Sequence, residues 1–144
     1  MNDNLVAKAT TAINAPAPAV WKALVTPALI KKYLFGTEAK TDWKPGSPIT
    51  FSGEWEGNKY EDKGNILANE KEKLLQYSYW SSMSSLPDLP ENYATVTFEL
   101  QPQENSTRLT ITQDHCATEE SRQHSEQNWG MVLKGIKELV ERDI

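Results

Sequence analysis

The sequence predicts an α+β fold: a curved antiparallel sheet of about six or seven strands wrapped round one long C-terminal helix, with two short helices after the first strand. Two observations carry this expectation. Between Thr118 and Arg142, the residues Trp129, Val132, Leu133, Ile136, Leu139 and Val140 recur at the three- and four-residue spacings of one helical face. Almost everything before that stretch reads as short alternating segments closed by Pro, Gly and Asn turns. A helix with one apolar face and a sheet with one apolar face each need the other.

Taken in order, Leu5 to Ile13 is a short extended segment and the expected first strand. Pro16 and Pro18 suit a first helical turn, and Val20, Trp21 and Leu24 follow at helical spacing. Pro27 disfavours helical geometry at Thr26, so the helix stops there. Thr26-Pro27 then restarts a second helix, as cap and first position, that carries Ile30, Tyr33 and Leu34. Thr37 to Trp43 is a weak strand closed by Lys44-Pro45-Gly46. Ile49, Phe51, Gly53 and Trp55 alternate with Thr50, Ser52 and Glu54, the pattern of a half-buried strand. After the Gly57-Asn58 turn, Tyr60 to Ala68 places Gly64, Ile66 and Ala68 on one face. Leu75, Tyr77 and Tyr79 give the next apolar face, and Ser81 to Asn92 is a long Pro- and Ser-containing loop. Ala94, Val96, Phe98 and Leu100 mark another strand, and Leu109, Ile111, Gln113 and His115 line one side of the last. Thr118 is the expected N-cap of the long helix, with Glu119 and Glu120 where negative charge suits the helix dipole. Residues 121–128 are polar, so only the back half of that helix demands burial. No repeat, linker or low-complexity segment interrupts the chain, and residues 1–144 read as one domain.

The composition narrows the classes of function. Fifteen Lys and Arg against twenty Asp and Glu give a formal net charge of −5, with no basic cluster, which disfavours nucleic acid and anionic membranes as partners. Met1 to Ala12 carries one Lys and no long apolar core, so no secretory signal is expected, and no apolar run approaches the roughly 18 residues of a membrane span. The single cysteine, Cys116, has no internal partner for a disulfide, and a reducing cytoplasm is the expected location. Five tryptophans and five tyrosines suit a core, or a pocket that is apolar with a wet end.

At the N-terminal end, Ile13-Asn14-Ala15-Pro16 running on to Val20-Trp21-Lys22-Ala23-Leu24 resembles the opening motif of the START-like (SRPBCC) helix-grip superfamily. Asn128-Trp129 running on to Leu133 and Ile136 resembles the closing motif of one branch, the activator of heat-shock protein 90 ATPase homologue family. Gly64 to Trp80 matches that branch's central hairpin in kind. The resemblance spans essentially the whole chain and rests on packing residues. It implies a START-like helix-grip domain with a cavity between sheet and helix, and it implies little about chemistry. The eukaryotic co-chaperones of this branch carry an extra N-terminal domain with no counterpart here, and Asn128 stands where the branch usually has Gly.

Several residues are candidates for lining such a cavity. Trp55, Tyr60, Tyr77, Tyr79 and Trp129 are wide amphipathic side chains that either line the space or fill it. Phe35 and the Ser81–Asn92 loop are candidates for framing its mouth. Gln113 and His115 make the inner face of the last strand polar, which suits a ligand headgroup or acid/base work; the alternative is a strand emerging into solvent. Glu54 and Asp62 are the nearest approach to a carboxylate pair, and alternation turns Glu54 away from Trp55 toward solvent. His115 and His124 form no metal-binding motif, no phosphate-cradling loop is present, and no cofactor is expected. The leading expectation is non-enzymatic binding of a small, largely apolar or amphipathic molecule. A co-chaperone-like module acting on a chaperone is the alternative, and a cyclase- or aromatase-type enzyme ranks last because no acid/base set points inward.

Overall fold

The computed structural model of the chain describes residues 5–34, 36–55, 57–81, 87–116 and 118–142; the side chains of Trp55 and Pro90 fall outside that description. Seven strands form one antiparallel sheet in the order β1-β7-β6-β5-β4-β3-β2. They are β1 (Leu5–Ile13), β2 (Glu38–Lys40), β3 (Pro48–Trp55), β4 (Asn58–Glu70), β5 (Leu74–Tyr79), β6 (Ala94–Pro102) and β7 (Thr107–Cys116). Helices α1 (Ala17–Val25) and α2 (Pro27–Tyr33) carry the chain from one sheet edge, β1, to the other, β2. Helix α3 (Glu119–Arg142) lies on the inner face and buries Val132, Leu133, Ile136 and Val140. Trp129 and Leu139 pack against the same core and are partly buried. The curved sheet, the two short helices and the long terminal helix are the helix-grip arrangement expected from the sequence.

The core follows the alternation of each strand. Ile49 and Phe51 from β3, Ile66 from β4, Leu75 and Tyr77 from β5, Val96 and Phe98 from β6, and Leu109 and Ile111 from β7 are all buried. They meet the buried stripe of α3 and the buried Val20, Trp21 and Leu24 of α1. Helix α3 also closes the outer edge of β1. Glu126 Oε2 accepts from Lys8 N at 3.1 Å, Glu141 Oε2 accepts from Asn14 N at 2.8 Å, and Lys137 Nζ donates to Ala12 O at 2.7 Å. Residues 126, 137 and 141 fall on one helical face, so their charged ends satisfy backbone groups that an edge strand otherwise leaves open.

The helix boundaries follow local chemistry, with differences from expectation. Thr118 Oγ1 accepts from Ser121 N at 3.0 Å and so caps α3. Thr26 makes no such side-chain bond; its carbonyl instead accepts from Leu29 N and Ile30 N, and Leu34 lies just beyond α2 as its C-cap. The expected strand over Thr37–Trp43 shrinks to Glu38–Lys40. Beyond it, Thr41 Oγ1 accepts from Trp43 N at 3.3 Å and Asp42 Oδ1 from Lys44 N at 3.0 Å, a local pattern that competes with ladder bonds.

Candidate functional site

A cavity of about 260 Å³ opens between the inner face of the sheet and the front of α3. Its apolar wall is made by Leu34, Phe51, Tyr77, Trp129 and Val132. Phe51 meets Tyr77 and Tyr79 with ring centroids 5.5 and 5.9 Å apart, and Tyr77 meets Phe98 at 6.0 Å. Trp129 stands edge-on to Phe98, at 6.0 Å and 87°. These tilted and edge-to-face contacts fix the rings by their quadrupoles as well as by burial. Deeper in, the space narrows to about 20 Å³ between Leu24, Ile30, Ile49, Leu75 and Phe98. The closed end is therefore filled, and the usable volume lies nearer the mouth.

The polar lining is supplied by Thr37, Asp62, Tyr79, Gln113, Ser125 and Asn128. Asp62 faces inward because it sits on the same alternation as Gly64 and Ile66 and opposite Phe51 in the β3–β4 register. It is 7% exposed and accepts from the Tyr79 hydroxyl at 2.5 Å. Burial, followed by the Asp62 charge and the hydrogen bond to it, pushes the Tyr79 phenol far above its ordinary range. Burial does the same to Tyr77, so both rings stay neutral near pH 7. Trp129 Nε1 donates to Gln113 Oε1 at 2.7 Å. The indole nitrogen only donates, so it fixes the amide oxygen of Gln113 toward the helix. Thr37 Oγ1 and the Tyr60 hydroxyl share a hydrogen bond of 2.6 Å. Ser125 and Asn128 come from the polar front of α3, so the polar ends of helix and last strand meet at the mouth.

Of the residues proposed from sequence, Tyr77, Tyr79, Gln113 and Trp129 come together on this lining. Tyr60 stands behind it and reaches it through Thr37. Phe35 and the Trp55 side chain lie outside the described residues, as do residues 82–86 of the Ser81–Asn92 loop.

His115 requires a correction: it is exposed and does not line the cavity. The cause is a bulge in β7. Leu5 pairs with Cys116 and Ala7 with Gln113, so β7 spends one residue more than β1 over that interval. His115 takes φ 60° there, its Nδ1 lies 3.3 Å from Asp114 Oδ1, and Cys116 becomes the buried residue instead. Glu54 is exposed opposite Lys59, as alternation requires, whereas Asp62 is the inward carboxylate that pairing it with Glu54 concealed. Leu34, Thr37, Ser125 and Asn128 carried no sequence signal for the site beyond their nearness to the second helix and the polar front of the last.

Two glycines let the wall close. Gly64 lies where the Ser78 carbonyl crosses it, so a Cβ there would sit 1.7 Å from Ser78 O. The Tyr60 ring covers Gly53, whose Cβ would sit 2.5 Å from the Tyr60 hydroxyl.

Among the described residues, no group of three or more His, Cys, Asp and Glu side chains could hold a metal ion, and no helix is long and apolar enough to cross a membrane. A family model described as "Activator of Hsp90 ATPase homolog 1-like protein" matches residues 14–141. The chain belongs to this family. A protein of Cytophaga hutchinsonii, solved in solution, is similar to this chain, with 46% identity, 99% of this chain and 98% of that one covered, and a TM-score of 0.87. A crystal structure of a Nitrosomonas europaea protein shares 26% identity over 96% of each chain, with TM-score 0.77. CalU16 of Micromonospora echinospora, at 19% identity and TM-score 0.70 over 96% of this chain and 85% of its own, shares the fold alone. No match is found among the curated proteins. Membership in the Hsp90-activator-homologue-like family thus accounts for the grip of sheet on helix and leaves the ligand to be argued from the cavity.

Proposed function

We propose that this chain binds, without transforming it, a small and largely apolar molecule in the cavity between the sheet and α3. The observation that carries the reading is the space itself: about 260 Å³, walled by Phe51, Tyr77, Trp129 and Val132, with a few polar groups from β4, β7 and α3 on the same lining. Rigid aromatic walls with a few placed polar groups are what a small-molecule site requires. The polar groups favour binding over catalysis because they are paired with one another, Asp62 with Tyr79 and Gln113 with Trp129. A phenol held far above its ordinary range is a poor acid or base at neutral pH. A cytoplasmic site of action fits this reading, since Cys116, the one cysteine of the sequence, has no internal partner for a disulfide.

The test is binding of N-phenyl-1-naphthylamine, a neutral apolar dye, followed by its fluorescence, beside native mass spectrometry of freshly purified protein for a retained small molecule. Saturable one-to-one dye binding is expected, and Ser125→Trp, which places an indole across the mouth, should weaken it at least about tenfold. Dye binding unaffected by that change would place the dye elsewhere and sink the proposal.

A co-chaperone role is a second reading, favoured by the family match over residues 14–141. Mixing the protein with heat-shock protein 90 and following ATP hydrolysis decides it. Stimulation at stoichiometric amounts, falling steeply with salt, would put that role first.

A further inference from the structure

The cavity has a floor, and one side chain forms it. We infer that Trp129 sets the length of the molecule this chain binds: its indole divides the usable space from the narrow space behind it, and a tail longer than the front compartment is refused. This rests on the cavity-binding reading above. Leu34, Phe51, Tyr77, Trp129 and Val132 line both spaces, so the two adjoin. What meets the indole on its two sides differs. Gln113, on the front lining only, accepts from Trp129 Nε1 at 2.7 Å. Phe98, on the rear lining only, meets the ring at 6.0 Å and 87°. The indole therefore has its nitrogen tied to the front compartment and its ring packed on the wall of the rear one.

Two restraints hold the ring there. The N–H is the indole's single polar group, and swinging the ring aside breaks its bond to Gln113 in a half-buried setting. The edge-to-face contact adds a preferred orientation, and Phe98 is itself fixed, 5% exposed and 6.0 Å from Tyr77. The place of Trp129 in α3 explains its role. It opens the apolar stripe, one turn before the buried Val132 and Leu133 and one turn after Ser125. Side chains of the stripe fill the rear, and the polar residues ahead of it leave the front open. Behind the indole, about 20 Å³ is room for a single water-sized group, against about 260 Å³ in front. A compact or short-chained apolar molecule is the ligand class this arrangement selects; a long acyl chain has nowhere to put its end.

The test uses straight-chain primary alcohols from butanol to dodecanol, each displacing N-phenyl-1-naphthylamine from the parent protein. While the tail fits in front of the indole, each added methylene should tighten binding by about two- to fourfold. Once the tail reaches Trp129, each further methylene should add less than about 1.5-fold, because it is pushed back through the mouth into water. Trp129→Leu removes most of the partition and should move that break to chains longer by at least about two methylenes; Trp129→Phe, which keeps a ring in the core, should move it by about one. Leu75 lines the rear space only, so Leu75→Ala opens room behind the indole and should leave the break where the parent has it. A parent series that keeps gaining to dodecanol overturns the length inference and leaves the cavity reading standing. So does an unmoved break in a folded Trp129→Leu or Trp129→Phe protein, or a lengthened one in Leu75→Ala. Absence of any dye binding overturns both.

Discussion

Replacing Gly64 with Ala asks whether β4 and β5 close on the cavity as described. A Cβ at Gly64 would lie 1.7 Å from Ser78 O and 2.5 Å from Ser78 C. Non-bonded carbon and oxygen need about 3 Å or more, so the strands must part by over about 1 Å. The obstruction is backbone, so no rotamer relieves it. It is also held in place, because Lys63 N donates to Trp80 O at 3.0 Å and Trp80 N to Lys63 O at 2.8 Å, with Ile66 paired to Tyr77 on the other side. Overpacking a core costs about 1–3 kcal/mol, and this case belongs at the upper end, about 3 kcal/mol. For a domain of this size that corresponds to a fall in Tm of about 10 °C. Tyr79 follows Ser78 directly, so its bond to Asp62 should loosen and dye affinity should fall with stability. Urea unfolding with a fixed m-value gives the number. A Gly64→Ala protein within about 0.5 kcal/mol of the parent would falsify the close approach of the two strands. Gly53→Ala is the internal comparison. Its obstruction is the end of the Tyr60 side chain, which can turn aside, so a loss of about 1 kcal/mol or less is expected, together with the Tyr60–Thr37 bond.

Three further outcomes follow from local chemistry. Gly130 lies exposed within α3 with nothing within 4 Å of an added Cβ, so Gly130→Ala should stabilise by about 0.5–1 kcal/mol in the same urea assay. Thr118→Ala removes the hydroxyl that caps α3 and should cost about 1 kcal/mol, with fraying of the first turn visible in amide exchange. Burial raises the phenols of Tyr33, Tyr77 and Tyr79 above their unfolded value of about 10. Above that pH the unfolded chain releases protons the folded one keeps, so stability is whole below about pH 10 and falls as pH rises past it, by up to about 1.4 kcal/mol per unit for each ring. Urea midpoints at about pH 9 and pH 11 measure this, and Tyr77→Phe should make the fall shallower; a fall equally steep in that variant would contradict the burial of Tyr77.

The sequence disclosed the parts of this molecule that local pattern governs. Leu5–Ile13 and the long helix appeared at their observed places because alternation and helical period act on near neighbours. The same alternation brought Tyr77, Tyr79 and Gln113 to the inner face. His115 escaped it because the β7 bulge inserts one residue without any Gly or Pro to announce it. Asp62 was legible in principle, sharing a face with Gly64 and Ile66, but a carboxylate on an inner face makes sense only beside its partner. That partner, Tyr79, lies on another strand and is identified by the closing of β5 on β4. Thr37 enters the site from the short link between α2 and β2, a region with no period to read.

The central claim is that a small apolar molecule occupies the space between the sheet and the front of α3. Intermolecular nuclear Overhauser effects between bound N-phenyl-1-naphthylamine and the protein test it most directly. The account predicts cross-peaks from the dye's rings to Phe51, Tyr77 and Val132, lost together in Ser125→Trp. Saturable binding whose cross-peaks fall instead on the exposed Val6, Leu67 or Met131 would contradict it.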